Sequence, residues 1–413
     1  MKLEGTEILK CNYAARNIPR GVVLLPFTLV VILLLFPLLR TLNLSASKIF
    51  ATSFESKEET RRSSCNVFSG NWTPYLKGPY YSNETCPFIF DKQNCLLHGR
   101  PDREFLQWRW KPNECQLPLF DAAQFLKMVK GKSMAFVGDS IGRNQMESLL
   151  CLLSSVARPE DITGKHASDS TYFKWWFYPD HNFTLALLWS PFLVKSSKSY
   201  LNDSSNFYLA EKLYLDEPDE AWASQIEDFD VVIFSGGQWF FRPLTFMEHG
   251  HVVGCQKCQN NTELNFYGYR IAFRTAFKTI LNLKGFKGLT FVVTHSPNHF
   301  ENGLWNTGGG CNRTKLVTTV EEKVAVHPYG IEELHQIQIE EFREAENEAK
   351  KKGLQLGLID ITEAMLVRPD GHPNSYGHAI DKNITVNDCV HWCLPGPVDT
   401  WNEILLYHMK TRM

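Results

Sequence analysis

Two short stretches, far apart in the chain, carry side chains that together suit acyl transfer. The first, Val137-Gly138-Asp139-Ser140, ends an apolar run and continues as Ile141-Gly142-Arg143-Asn144; the second, Asp388-Cys389-Val390-His391, continues as Trp392-Cys393-Leu394-Pro395-Gly396. A hydroxyl is a weak nucleophile until a base takes its proton, and the base needs a partner that orients its ring. Ser140 supplies the hydroxyl, His391 the base and Asp388 the orienting carboxylate. Each stretch alone has an ordinary explanation, because Asp139 or Ser140 can simply cap a helix and 388–391 can be a surface loop. Their co-occurrence points to a Ser-His-Asp catalyst.

Such chemistry also needs donors aimed at a tetrahedral oxyanion. The Ser140 backbone N–H, at a helix N-terminus, is one candidate. A backbone N–H from Gly236 or Gly237 is a second, and the Asn144 side chain a third. Arg143 either contacts substrate or locks the Ser turn onto a carboxylate. Trp239, within Trp239-Phe240-Phe241, and His295 and His299, within Thr294-His295-Ser296-Pro297-Asn298-His299-Phe300, are candidates for lining an acceptor groove, with an equal claim to purely structural places.

The elements that must position these residues alternate between strand and helix. Strands are expected at 133–137, 231–234, 289–294 and 356–359; helices at 143–155, with Met146, Leu149, Leu150 and Leu153 on one face, and at 269–281, 332–351 and 397–408. Alternation of this kind implies a mostly parallel sheet covered on both faces, with sites at the C-terminal strand ends. Ser140, Ser235-Gly236-Gly237 and Thr294-His295-Ser296 each follow a strand, so one sheet edge gathers them. Glu321–Lys323 and Glu340–Lys352 read as solvated helix faces.

The chain has 413 residues with 44% hydrophobic content, enough for one large globular unit or one unit with a small appended lobe, and its net charge of −2 gives no support to nucleic-acid or other polyanion binding. Residues 21–39 carry no charged side chain, and at about 1.5 Å per residue they just cross a bilayer core. Lys2, Lys10, Arg16 and Arg20 outnumber Glu4 and Glu7 ahead of this run, so a cytosolic tail (1–20), a membrane anchor (21–39), a polar lumenal stem (40–64) and a lumenal body (65–413) are expected. The rival is a cleaved signal peptide ending near Ser45-Ala46-Ser47. A shortish span suits early secretory membranes, hence the Golgi. Of 11 cysteines only Cys11 precedes the anchor. The ten lumenal ones should pair as disulfides, with zinc at Cys255 and Cys258 as the less favoured alternative. Sequons start at Asn43, Asn71, Asn83, Asn182, Asn202, Asn260, Asn312 and Asn383. Residues 65–120, dense in Cys, Trp, Pro and Gly, read as a loop-rich, disulfide-stapled segment.

Taken together, these residues resemble the plant trichome birefringence-like family of polysaccharide O-acetyltransferases. The resemblance rests on Cys65-Asn66-Val67-Phe68-Ser69-Gly70-Asn71-Trp72, Lys92-Gln93-Asn94-Cys95, Gly99-Arg100-Pro101-Asp102, Trp108-Arg109-Trp110-Lys111-Pro112 and the two catalytic stretches. Lys130-Gly131-Lys132-Ser133, Cys255 to Cys258 and Arg368-Pro369-Asp370-Gly371-His372-Pro373 are most similar to the xyloglucan-acetylating branch. It implies an α/β SGNH/GDSL-hydrolase-like domain, a mostly parallel sheet flanked by helices, with a disulfide-stapled N-terminal minor lobe. It implies a single-pass type II Golgi protein in which Ser140, Asp388 and His391 take acetyl from a donor and pass it to a cell-wall polysaccharide hydroxyl. The donor would be acetyl-CoA or an intermediate carrier, a co-substrate rather than a tightly bound cofactor; no metal is expected. Other Golgi acetylation or glycan-synthesis proteins are candidate partners. The chain departs from the family pattern at Val293, where Arg is common, and at Gln238, where His is common. An esterase with the same triad and a non-catalytic glycan-binding protein are the competing readings.

Overall fold

The computed structural model describes residues 65–201, 208–258, 262–318, 329–378 and 387–413. The expected tail, anchor and stem, the sequons at Asn43, Asn202, Asn260 and Asn383, and the 321–323 helix face lie outside these residues.

Five parallel strands form the centre of a seven-stranded sheet: β3 (Ser133–Gly138), β6 (Phe183–Trp189), β9 (Val231–Ser235), β12 (Leu289–Val293) and β13 (Gln355–Ile359). The order is β13-β12-β9-β3-β6, extended by β5 (Lys174–Tyr178) and the short β4 (Glu160–Asp161), which pair antiparallel. The central strands are near-continuous apolar runs, as burial on both faces requires; in β3, β9 and β12 nearly every residue is buried. Helices α1 (Ser140–Leu153), α2 (Tyr267–Asn282), α3 (Ile331–Lys352) and α4 (Asp399–Arg412) flank the sheet. Glu332 and Glu333 open α3, and Lys350 to Lys352 close it before Gly353, a charge order that complements its dipole.

The expected elements at 133–137, 231–234, 289–294, 332–351 and 356–359 are present almost to the residue. Helix α1 starts three residues earlier than expected and α4 two residues later. The expectation placed no element in residues 160–230 or 244–256, which hold β4 to β6 and a second, four-stranded sheet of order β11-β10-β8-β7 (His251–Gln256, Leu244–Glu248, Tyr208–Pro218, Val194–Leu201).

Residues 65–120 carry only the antiparallel pair β1 (Gly70–Pro74) and β2 (Trp108–Pro112), short 3-10 helices and turns. Disulfides Cys86–Cys151 and Cys95–Cys393 fasten this segment to α1 and to the C-terminal loop. Cys255 pairs with Cys258 and Cys311 with Cys389, so the Cys255-x-x-Cys258 pair is a disulfide rather than a zinc site. Cys65 and Cys115 are also disulfide-bonded.

Candidate active site

Ser140 is the first residue of α1, immediately after β3. Asp139 caps the helix, its Oδ1 accepting from the Ile141 N–H at 2.9 Å. The turn between strand and helix depends on Gly138. It has φ +151°, and a Cβ there would lie 1.6 Å from the Ser235 carbonyl oxygen, so only glycine lets β3 and β9 close together at this edge.

The second stretch meets the first. His391 Nε2 lies 2.7 Å from Ser140 Oγ, and His391 Nδ1 lies 2.8 Å from Asp388 Oδ2. The other Asp388 oxygen accepts from the N–H groups of Val390 (3.1 Å) and His391 (3.0 Å). Burial works against the Asp388 charge, but the facing His391 and these hydrogen bonds outweigh it and hold the carboxyl well below its ordinary range. The carboxylate therefore keeps a proton on His391 Nδ1, leaving Nε2 bare to accept from Ser140. That arrangement can activate a hydroxyl for attack on an acyl group.

The loop bearing His391 is fixed from several sides. Cys389 and Cys393, on either side of it, are bonded to Cys311 and Cys95. Asn144 Oδ1 accepts from the Trp392 N–H at 2.8 Å, and Asn144 Nδ2 donates to the Trp392 carbonyl at 3.2 Å. Trp392 Nε1 donates to Ser296 Oγ at 2.8 Å. Arg100, from the N-terminal segment, donates to the carbonyls of Asp370 and His372.

Two of the oxyanion candidates, the Asn144 side chain and the Gly237 N–H, already have hydrogen-bond partners within the protein. Asn144 is fully buried and its side chain is taken up by the Trp392 main chain. The Gly237 N–H points at Asp139 Oδ2, 3.3 Å away. Gly237, with φ +154°, instead serves close packing: a Cβ there would lie 2.2 Å from His295 Nδ1.

The histidines expected along a groove are inside the protein. His295 is 2% exposed; its N–H donates to Gln338 Oε1 at 2.6 Å, and burial, helped by His335, takes its imidazole down to about 3. His299, also 2% exposed, packs behind the catalytic loop against His372. Gln238 donates to the Ser296 carbonyl at 2.7 Å and accepts from Asn298, joining the glycine turn to the segment after β12. Val293 is buried at the end of β12.

Arg143 and Trp239 are half-buried at the same strand edge as Ser140. The Arg143 guanidinium lies 4.4 Å from the Phe90 ring centre and 6.0 Å from that of Trp189, with Nε 3.7 Å from Glu147. Trp189, whose Cα is registered with that of Gly138, meets Trp239 edge-on at 5.9 Å, and Arg242 lies 3.6 Å over Trp239. Trp189 and Arg242 were not singled out in the sequence, whereas Asp139 was named only as a helix cap and His372 only within the 368–373 stretch.

Comparison with known proteins places this architecture. Residues 117–408 match the GDSL/SGNH-like acyl-esterase family found in Pmr5 and Cas1p, and residues 63–116 match the PMR5 N-terminal domain. The chain is 48% identical over 393 residues to protein trichome birefringence-like 19 of Arabidopsis thaliana, covering 92% of this chain and 90% of that protein. The chain belongs to the trichome birefringence-like family. Two further relatives carry an activity in their names. Xyloglucan O-acetyltransferase 4 of Populus trichocarpa is 44% identical over 355 residues, covering 85% of this chain and 81% of that protein. Xyloglucan O-acetyltransferase 1 of Arabidopsis thaliana is 40% identical over 387 residues, covering 89% and 88%. This trichome birefringence-like protein is accordingly an enzyme, a polysaccharide O-acetyltransferase built on an SGNH-like domain.

Proposed function

We propose that the protein transfers acetyl groups to xyloglucan through an acetyl-Ser140 intermediate. The observation that carries the mechanism is the 2.7 Å approach of His391 Nε2 to Ser140 Oγ, with Asp388 behind it. In the first half-reaction Ser140 Oγ bonds to the acetyl carbon while His391 takes the hydroxyl proton. The donor bond breaks and the proton passes to the departing group. In the second, a sugar hydroxyl gives its proton to His391 and attacks the acetyl carbon, and Ser140 recovers its hydrogen from His391 as it leaves. The Ser140 N–H, at the positive end of α1, stabilises the oxyanion in both steps.

Trp189 and Trp239, backed by Arg143 and Arg242, present aromatic faces and cations beside Ser140. Such surfaces suit the apolar faces and hydroxyls of sugar rings. The names of the 40–44% identical relatives support xyloglucan as the acceptor. The charge-free run at 21–39 and its basic flank support a type II anchor in the Golgi membrane. There the donor would be acetyl-CoA or a carrier loaded from it, and other glycan-acetylating or glycan-synthesising proteins would be neighbours.

The test is to incubate the purified full-length chain with an activated acetyl donor and de-acetylated xyloglucan, xylan or mannan oligosaccharides, and to weigh the sugars by mass spectrometry. Acetyl appearing on xyloglucan fragments, and absent with Ser140→Ala, is expected. Acetylation confined to xylan or mannan would overturn the acceptor. Ser140-dependent donor breakdown with no sugar product would make the protein an esterase.

A further inference from the structure

Behind the catalytic loop, two imidazoles that the triad does not use are in direct contact. His299, in the segment after β12, and His372, in the turn before the catalytic loop, are each 2% exposed. His299 Nε2 faces the Leu366 carbonyl at 2.9 Å, His372 Nδ1 faces the His391 carbonyl at 2.7 Å, and His299 Nδ1 faces His372 Nε2 at 2.7 Å.

Counting hydrogens gives a definite result. A carbonyl oxygen only accepts, so both outer nitrogens must carry hydrogen. A neutral imidazole has one N–H and one bare nitrogen. Two neutral rings would therefore turn two bare nitrogens toward each other at 2.7 Å, a separation that belongs to a hydrogen bond. Three contacts need three hydrogens, and two neutral rings own two. We propose that His299 and His372 form a buried dyad that shares one extra proton, and that this cation holds the His391 carbonyl and so positions the catalytic imidazole. The inference rests on the triad reading given above.

The surroundings suit one positive charge. Asp370 is paired with Arg368 at 2.8 Å, Arg313 with Glu301, and Arg100, which donates to the His372 carbonyl, with Asp102 at 2.8 Å. Asp388 is the nearby anion whose partner, His391, is neutral before the reaction begins, so the dyad proton balances it. Burial presses each ring toward the neutral form, His299 down to about 4 and His372 well below its usual value. The facing lone pairs and Asp388 press the other way. Trp392 stacks on His372 at 4.1 Å and shields the pair from water.

The dyad is active with its proton on. As pH rises through its apparent pKa the proton leaves, one of the three contacts is lost, and the His391 carbonyl loosens. This adds an alkaline fall in kcat.

The test uses the full chain labelled with ¹⁵N only in its histidine rings, studied by magic-angle-spinning NMR between pH 5 and 9. The expected signature is one strongly downfield proton coupled to two ring nitrogens, lost in His299→Gln. The His391–Asp388 proton cannot imitate it, because that proton touches one nitrogen. Two neutral rings with no shared proton at any pH would overturn the dyad, whatever the enzyme's substrate. In parallel, the pH profile of Ser140-dependent donor turnover is compared between native chain and His299→Gln, which keeps hydrogen-bonding capacity but no titratable ring. Loss of the alkaline limb with kcat down by about tenfold, about the worth of one hydrogen bond, and KM unchanged is expected. A uniform loss with the limb intact would reduce the pair to packing and overturn the positioning role. If His299→Gln does not fold, the spectrum of the native chain still decides.

Discussion

Replacing Asp388 by Asn tests the triad more sharply than removing it, because the shape is kept and only hydrogen-bond polarity changes. Asp388 accepts three hydrogen bonds, one from the His391 ring and two from the N–H groups of Val390 and His391. Asn has one accepting oxygen. If that oxygen keeps the two backbone donors, its NH2 faces His391 Nδ1 and forces the hydrogen onto Nε2. The base then has no lone pair for Ser140. To recover the working tautomer the amide must flip, which turns its NH2 against two backbone N–H groups. At about 1–3 kcal/mol per unmade hydrogen bond, that flip costs roughly 2–6 kcal/mol. A cost of that size lowers kcat by about 30-fold to about 25,000-fold at every pH. The assay is acetyl transfer to the acceptor oligosaccharide, run beside release from a chromogenic acetate ester, with circular dichroism confirming the fold. A kcat within threefold of the native value in both reactions would refute the reasoning, because Asp388 would then not govern the tautomer of His391.

Other expectations follow from the same geometry. Asn144→Ala leaves the N–H and C=O of buried Trp392 unpaired, so a loss of about 2–6 kcal/mol is expected, read as a lower melting temperature together with lower kcat. Gly138→Ala drives a Cβ into the Ser235 carbonyl at φ +151°, so the chain should not reach a protease-resistant state; a resistant, active protein would contradict the strand-edge packing. Glu147 is buried, and burial raises its carboxyl from 4.5 to about 8 despite Arg143 nearby. The folded state thus disfavours the carboxylate: stability is fully present below about pH 4.5 and is lost as pH rises toward 8. At pH 7 this costs about 3 kcal/mol. Glu147→Gln should raise the melting temperature by about 4 °C there and flatten its slope between pH 5 and 8, as differential scanning calorimetry would show.

How much of this was legible in the sequence differs by element. The central strands were readable because burial on both faces demands continuous apolar runs such as Val231-Val232-Ile233-Phe234. Helix α3 was readable because its buried side and charged side alternate with helical period. Strands β7 and β8 were not, since Val194-Lys195-Ser196-Ser197-Lys198 carries no clean alternation and is held by antiparallel pairing to β8, the next strand in the chain. The triad was legible because Ser, Asp and His in those two stretches have few other joint uses. Its support was not: an Asn one turn into a helix looks the same whether it faces an oxyanion or a main chain. His295 and His299 were expected along a groove because histidine is chemically versatile, whereas burial depends on packing that their spacing does not encode.

The disulfide between Cys95 and Cys393 joins residues 298 positions apart, beside the catalytic His391. That bond has a consequence for the order of events during synthesis. Cys95 leaves the ribosome 298 residues ahead of its partner and must wait, unpaired or wrongly paired, until Cys393 has followed. Only then can the loop carrying Asp388 and His391 settle against Ser140. A partly made chain therefore carries a nucleophile without its base and is inert. Competence is acquired in one late step, and the oxidising power of the surrounding compartment sets its timing. An isomerase that frees Cys95 from an early partner would in this way control when the enzyme first becomes able to work.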